Sequence, residues 1–248
     1  MGITGEGEGR PPVKAGPPIV DIATGIYSAY AVAAALFERE RSGRGQKVEV
    51  AMLDAVVSLL ADVGLKTHVD GRDFAPFGSG HPDIVPYQAF KARDGYFIVA
   101  CLTNAFFKRV CVALGREDWL NDPGMATNPA RVARRAEVVD TLNAIFRQNT
   151  CQHWIELMEQ HDVPSCKVMA LHEILADPQV AANGLINSFD DPKRGRITTL
   201  GPPVRMSATP TEHTRVAPML GEHTAEVLRE FGLSDGEIDG LRTANVIN

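Results

Sequence analysis

The residues best placed to do chemistry cluster in one short run, Gly78-Ser79-Gly80-His81-Pro82. Two glycines one residue apart let a backbone approach a ligand closely and let a loop move. Ser79 adds a hydroxyl, and His81 adds an imidazole that can act as a general base. The run is not a phosphate loop, because it lacks G-x-x-x-x-G-K-[ST] and the strand and helix that flank such a loop. By residue type alone it is either a ligand-binding loop or a plain connection. His81 is either a base or a packed histidine with one ring nitrogen satisfied. A second acid–histidine pair, Gly221-Glu222-His223-Thr224, stands at a helix start and reads as capping and packing. Arg44, between Gly43 and Gly45, reads as a turn residue with a surface charge. No G-x-S-x-G elbow accompanies the serines.

The remaining reactive residue types are dispersed. Cys101, Cys111, Cys151 and Cys166 lie far apart with no C-x-x-C, and the seven histidines show no metal-ligand spacing. The expectation is reduced thiols, a cytoplasmic location and no metal site.

Elements must position the Gly78–Pro82 run. Residues Gly2 to Pro18 read as a Gly/Pro/Glu linker. Asp21 is the expected cap of an Ala-rich helix over Ile22 to Arg41, stopped by Ser42-Gly43-Arg44-Gly45. Gln46 to Val50 alternates polar and apolar, as a half-buried strand does, and Asp54 to Leu65 returns to helical spacing. Tyr87–Lys91 and Tyr96–Ala100 flank Asp94-Gly95, a hairpin signal. Asn104 and Asn128 are expected helix caps, the second helix running to about Gln148, and Thr150 starts a third. Cys166 to Val168 reads as a short strand and Leu171 to Leu175 as a helical turn. Leu185–Phe189, Arg196–Leu200 and Val204–Met206 read as strands, and Glu222–Phe231 as a helix. Ser234-Asp235-Gly236-Glu237 is a capping box that opens a last helix.

Composition excludes several classes. The chain has 248 residues, 44% apolar and 23% charged, enough to bury a core without staples. A net charge of −6 gives no basic footprint for nucleic acid. The most apolar run, Ile22 to Phe37, contains Thr24 and Ser28 and is bounded by Asp21 and Glu38-Arg39-Glu40-Arg41. It is shorter than a bilayer span of about 20 residues, so a buried helix and no membrane are expected. The N-terminus has neither the basic nor the apolar region of a signal peptide.

Taken in order, several segments resemble family III CoA-transferases, the group that includes formyl-CoA and carnitine CoA-transferases and the related α-methylacyl-CoA racemases. The matching segments are Met1-Gly2-Ile3-Thr4-Gly5, Pro18 to Gly25, Ser42-Gly43-Arg44-Gly45-Gln46, Val50 to Ala55, Gly80-His81-Pro82 through Pro86-Tyr87-Gln88-Ala89-Phe90, Asp94-Gly95-Tyr96, Val163-Pro164 and Leu220 to Thr224. The resemblance runs nearly end to end. It implies an α/β fold: an α+β small domain plus helical and strand segments of a partial large domain. The expected divisions are 1–85, with the glycine loop; 86–182, the small domain; and 183–248, a return to the large domain.

The resemblance also implies chemistry. In the family a Rossmann-like half precedes the equivalent of Met1 and carries most CoA contacts and the nucleophilic aspartate. This chain is therefore expected to be truncated relative to the family and inactive alone, with no catalytic residue assigned in it. Asp21 follows the Met1–Gly5 match and is not that nucleophile. Gly78, Ser79, Gly80 and His81 occupy the position of the loop that shields the acyl intermediates, and are the expected substrate-binding residues. Implied substrates are an acyl-CoA and a carboxylic acid, with coenzyme A thioester as substrate and no resident cofactor. The implied assembly is an interlocked homodimer. Two alternatives stand beside this reading: an α-methylacyl-CoA racemase-like enzyme, and a non-catalytic binding or assembly remnant of the fold.

Overall fold

A computed structural model describes residues 2–7, 9–71, 73–211 and 216–247. Met1, Glu8 and Arg72, which belong to the segments read above, lie outside the described residues. The chain forms two compact units, Met1–Val168 and Met169–Asn248. The short helices Leu171–Leu175 and Pro178–Ala182 thus group with the second unit, so the boundary falls at Val168 and not at Ala182.

In the first unit, helix α1 (Ile19–Ser42) is followed by α2 (Met52–Ser58) and α3 (Ala61–Asp70). Strands β1 (Tyr87–Lys91) and β2 (Tyr96–Ala100) form the expected hairpin. Helices α4 (Asn104–Ala113), α5 (Glu117–Asn121), α6 (Asn128–Ala133), α7 (Arg135–Phe146) and α8 (Cys151–Gln160) precede β3 (Ser165–Lys167). The sheet order is β1-β2-β3, antiparallel throughout, with Phe90 opposite Phe97 and Ile98 opposite Cys166. Because strand side chains alternate, Phe97 and Val99 share a face, and both are fully buried. Helices α4, α7 and α8 cover that face with Val110, Leu142 and Met158. Phe146 is its centre, with ring centroids 5.2 Å from Phe90, 4.9 Å from Phe97 and 5.3 Å from Trp154, in edge-on arrangements aromatic pairs prefer.

The hairpin turn does more than reverse the chain. The Asp94 carboxylate accepts the Cys151 N–H at 2.7 Å, and Arg93 N–H donates to the Asn149 carbonyl at 2.8 Å. The start of α8 is therefore tied to the β1–β2 turn. That backbone hydrogen bond holds the Asp94 carboxyl below its usual range.

Three helix starts share one chemistry. Thr103, Thr127 and Thr150 are the caps, accepting the N–H groups of Phe106, Ala130 and His153. The caps expected at Asn104 and Asn128 thus sit one residue too late. The shift has a physical reason: with threonine capping, each asparagine is free to bond elsewhere. Asn104 Oδ1 accepts from Arg131 at 3.0 Å, and Asn128 holds the segment before β1.

Arg131 is buried completely. Its Nε donates to the Val85 carbonyl and its Nη1 to the Met125 carbonyl, each at 2.8 Å. The guanidinium lies 4.2 Å from the Phe107 ring, which stacks on Trp119 at 5.8 Å. Arg116 also sits over Trp119, 4.0 Å from the ring. No carboxylate balances Arg131 among the described residues, so its charge is dispersed over three oxygen acceptors and a π face. Desolvation pushes its pKa down.

Other differences are local. The expected helix Asn128 to Gln148 divides at Arg134, whose guanidinium pairs with Asp122 and Glu137. The helical spacing of Asp54 to Leu65 divides at Ala61, where φ is +47°. Gln46 to Val50 has no strand partner among the described residues. Pro18 takes the N-cap position of α1, leaving Asp21 in the first turn. The α1 helix buries none of its residues, contrary to the buried helix expected. Ile22, Ile26, Tyr30 and Phe37 are all more than half exposed. With 24 residues and mean hydropathy 1.6 over its most apolar window, α1 is long and apolar enough to cross a membrane by length and composition. Its hydroxyl groups turn inward: Thr24 and Ser28 donate to carbonyls four residues earlier. Tyr27 and Ser58 hydroxyls meet at 2.8 Å, joining α1 to α2.

The second unit holds α9 (Leu171–Leu175), α10 (Pro178–Ala182), the antiparallel pair β4 (Ile186–Asp191) and β5 (Gly195–Leu200), α11 (Thr224–Glu230) and α12 (Asp235–Thr243). Asp191 closes the β4–β5 turn by accepting the N–H groups of Lys193 and Arg194 and the Arg194 guanidinium. The guanidinium is the main cause that pulls its carboxyl down to about 2. Val204 to Met206 is not a strand. The Ser234 capping box forms with Glu237 as read.

Replacing Arg131 with Met takes the side-chain partner from the carbonyls of two fully buried residues, Val85 and Met125. The expected cost is roughly 3 kcal/mol or more, on the scale of several orphaned buried polar groups. Trp119 and Trp154 both lie in the first unit, so urea unfolding followed by tryptophan fluorescence reports it.

Candidate functional site

The Gly78–His81 run is a hydrogen-bonded turn laid along the free edge of β1. His81 N–H donates to the Tyr87 carbonyl at 2.9 Å, and Ala89 N–H donates to Ser79 Oγ at 3.1 Å. An edge strand presents unpaired backbone groups, and here the loop satisfies them. Gly78 N–H reaches back to the Gly5 carbonyl at 2.8 Å, and Gly80 N–H closes onto the Phe77 carbonyl at 3.0 Å. The Gly2–Gly5 segment and the loop, separate in sequence, are therefore neighbours.

The two glycines are required for different reasons. Gly78 has φ +62°, the left-handed region that disfavours a Cβ. Gly80 has ordinary φ, but a Cβ there would sit 3.1 Å from the Phe77 carbonyl oxygen and 3.6 Å from Gln88 Oε1. With the N–H groups of Gly78, Gly80 and His81 engaged, only the Ser79 N–H of this run has no partner among the described residues. In this arrangement Ser79 offers the loop's one free backbone donor for a ligand.

His81 is held at both faces of its role. Its ring stacks on Tyr87 at 5.5 Å, 13° from parallel. Its Nδ1 accepts the Asp83 N–H at 3.1 Å, which places the ring hydrogen on Nε2. The packed-histidine reading is thus met at Nδ1, while Nε2 carries a donor, not a free base, in this tautomer.

The segment after the loop is anchored by residues to which the sequence reading gave no part in this site, Asn128 having been read only as a helix cap. Asn128 Nδ2 donates to the Asp83 carbonyl at 2.6 Å and its Oδ1 accepts Val85 N–H at 3.1 Å. Arg135 on α7 donates to the Pro82 carbonyl and covers the Phe77 ring at 5.7 Å. Lys66 on α3 forms an ion pair with Asp83. A cavity of about 420 Å³ opens beside the loop, lined by Lys66, Asp70, Asp73, Phe74, Phe77 and Asp83 among others. Its mixture of cation, carboxylates and aromatic rings suits a polar ligand with an apolar portion. No local pattern marks Asn128 or Arg135, because their partners lie 45 and 53 residues away.

The other reactive groups do not join this site. Glu222 accepts the Met219 N–H at 2.7 Å, which holds its carboxyl below the usual range and fits the turn-and-cap reading of Gly221 to Thr224. His223 is the N-cap residue of α11. Cys101, Cys111 and Cys151 are buried, and burial pushes the Cys101 thiol up to about 12 and the Cys111 thiol up to about 11. Neither is a nucleophile at neutral pH. Cys166 is exposed.

A helix-covered antiparallel sheet with a glycine turn on its open edge places the chain structurally among CaiB/BaiF proteins. A CaiB/BaiF family protein of Brucella suis superposes with TM-score 0.76 and 33% identity, over 93% of this chain and 59% of that one. The chain belongs to CoA-transferase family III, whose profile matches residues 1–224. It is 37% identical over 231 residues to a succinate–glutarate CoA-transferase of Agrobacterium fabrum, covering 93% of this chain and 58% of that protein. It is 32% identical to the human succinyl-CoA:glutarate CoA-transferase, covering 100% of this chain and 57% of that protein. The chain thus spans a little over half the length of the relatives it matches. Family and α/β class agree with the resemblance read from the sequence.

Two outcomes are expected of this geometry. Gly78→Ala lowers stability by about 1–2 kcal/mol through its left-handed φ, read by urea unfolding. Native alkylation with iodoacetamide, followed by peptide mass spectrometry, labels Cys166 and leaves Cys101, Cys111 and Cys151 unmodified until urea is added.

Proposed function

We propose that this protein is a CoA-transferase that moves CoA between an acyl-CoA thioester and a dicarboxylic acid. The observation that carries the reading is the family match over residues 1–224, with relatives named for succinate, glutarate, mesaconate and oxalate. In this reaction an enzyme carboxylate attacks the thioester carbonyl, releasing CoA thiolate and leaving an acyl-enzyme anhydride. The thiolate attacks the enzyme's own carbonyl in that anhydride, freeing the first acid and leaving CoA on the enzyme as a thioester. The acceptor acid then runs the two steps in reverse.

On this reading the attacking carboxylate is not among these 248 residues. Asp83 is paired with Lys66, and Asp21 is exposed in the first turn of α1. The chain's contribution is the Gly78–His81 loop, which excludes water from anhydride and thioester. The reaction needs no resident cofactor. We further infer a homodimer in the cytoplasm, and we read α1 as protein-facing: Glu38, Arg39, Glu40 and Arg41 lie within the helix itself, and Ile22, Ile26, Tyr30 and Phe37 on it are exposed apolar side chains.

The test is a CoA-transfer assay with succinyl-CoA and glutarate, paired with intact-mass analysis. The chain alone is expected to show neither transfer nor a CoA adduct. Supplied with the remainder of the Agrobacterium fabrum relative as a second polypeptide, it is expected to transfer. In that complex, bulkier residues at Gly78 and Gly80 are expected to raise the share of hydrolysis. A stable CoA adduct on any Asp or Glu of this chain alone would overturn the assignment, as would a folded complex with no transfer to any dicarboxylate tried.

A further inference from the structure

Helices α6 and α7 and the junction between them carry three arginines close in sequence, and their surroundings differ sharply. Arg131 is buried and has all three of its nitrogens engaged. Arg134 is paired with two carboxylates, Asp122 and Glu137. Arg135 makes no ion pair among the described residues and directs its guanidinium at the loop instead. It donates to the Pro82 carbonyl, covers Phe77, and its Nη1 lies 3.8 Å from where a Cβ on Gly80 would stand. It therefore touches both ends of the glycine turn, since Phe77 opens it and Pro82 follows it.

We propose that Arg135 is a positioning residue for the Gly78–His81 loop, holding the turn closed on the edge of β1. The physical case is geometric. The turn is closed by Gly80 N–H on the Phe77 carbonyl, and it docks on β1 through His81 N–H on Tyr87 and through Ser79 Oγ. Those bonds are neutral and individually modest. A charge-assisted bond to Pro82 and a cation over Phe77 fix the two flanks between which the turn hangs. Arg135 is itself half-buried and desolvation weakens its charged form, which the charge of Asp83 favours in turn. Moving the loop away would return the guanidinium to water, so loop opening and Arg135 hydration are one event. Lys66, bonded to Asp83, and Asn128, bonded to Asp83 and Val85, hold the segment beyond Pro82 and leave the turn itself to Arg135.

The proposal concerns the loop whether or not the transferase reading holds; its catalytic consequence rests on that reading. The experiment is amide hydrogen exchange on the full chain, resolved at Gly80 and His81. In Arg135→Gln both amides are expected to exchange about tenfold faster or more, the scale of losing a hydrogen bond to a charged group. Arg135→Lys keeps one charged donor but not the flat stack, and is expected to fall between. Arg134→Gln, which breaks pairs at the same helix start without touching the loop, is expected to lower stability and leave both amides unchanged. Unchanged exchange in a folded Arg135→Gln chain would overturn the proposal, and so would equal acceleration in Arg134→Gln. Should Arg135→Gln fail to fold, Phe77→Leu removes the stacked ring alone; faster exchange at Gly80 supports the clamp and unchanged exchange overturns it. In a complex active in transfer, Arg135→Gln is expected to cut the transfer-to-hydrolysis ratio about tenfold. Faster exchange with no transfer in the unsubstituted complex would sink the transferase reading and leave the clamp standing.

Discussion

A cation with no counter-ion among the described residues organises the first unit. Arg131 lies at the centre, and everything that holds it comes from a different part of the chain: Val85 before the hairpin, Asn104 at the start of α4, Met125 in the turn after α5. An unpaired charge in a protein interior is tolerated only where hydrogen bonds replace its hydration. The requirement runs both ways, because Val85 and Met125, whose carbonyls it holds, are themselves buried by the same packing. Three segments distant in sequence must arrive together or none is stable. The stacked series Arg131, Phe107, Trp119 and Arg116 extends this constraint outward to the surface.

The glycine turn inherits its place from that arrangement. Val85 is held by Arg131 through its carbonyl and by Asn128 through its N–H. The chain from Val85 to Tyr87 therefore enters β1 at a defined height, and the turn that precedes it can meet the strand's open edge in register. A flexible loop in sequence terms is, in the folded unit, a strand-like cover stitched to the sheet. This reconciles the two readings of Gly78–His81: it connects elements, and it also presents one free backbone donor beside a cavity.

Legibility in the sequence tracked distance along the chain. The β1–β2 hairpin was readable residue for residue, because alternation and an Asp-Gly turn are local signals. The Thr150 cap and the Ser234 capping box were readable for the same reason. Caps at Asn104 and Asn128 were placed one position late: asparagine is as good a cap as threonine by type, and only a distant partner reveals which of two neighbours does the capping. Gln46 to Val50 alternates like a strand but pairs with no strand among the described residues, since alternation reports amphipathicity and not pairing. Gly78, Ser79, Gly80 and His81 were visible as a motif, whereas Arg135 and Asn128 were not, since ordinary helix residues acquire that role only through contacts made across the fold.

The paired use of threonine and asparagine at α4 and α6 has a consequence for how this sequence can vary. At each start one residue satisfies the helix and the next reaches across the unit, so two tasks are assigned to two consecutive positions. Substitution can conserve both tasks, but a change in length cannot. A residue inserted between the capping threonine and its asparagine turns the asparagine by about 100° around the helix axis, and either the cap or the cross-link is lost. Gaps in related sequences should therefore avoid the junctions Thr103–Asn104 and Thr127–Asn128, whatever happens to the loops that lead into them.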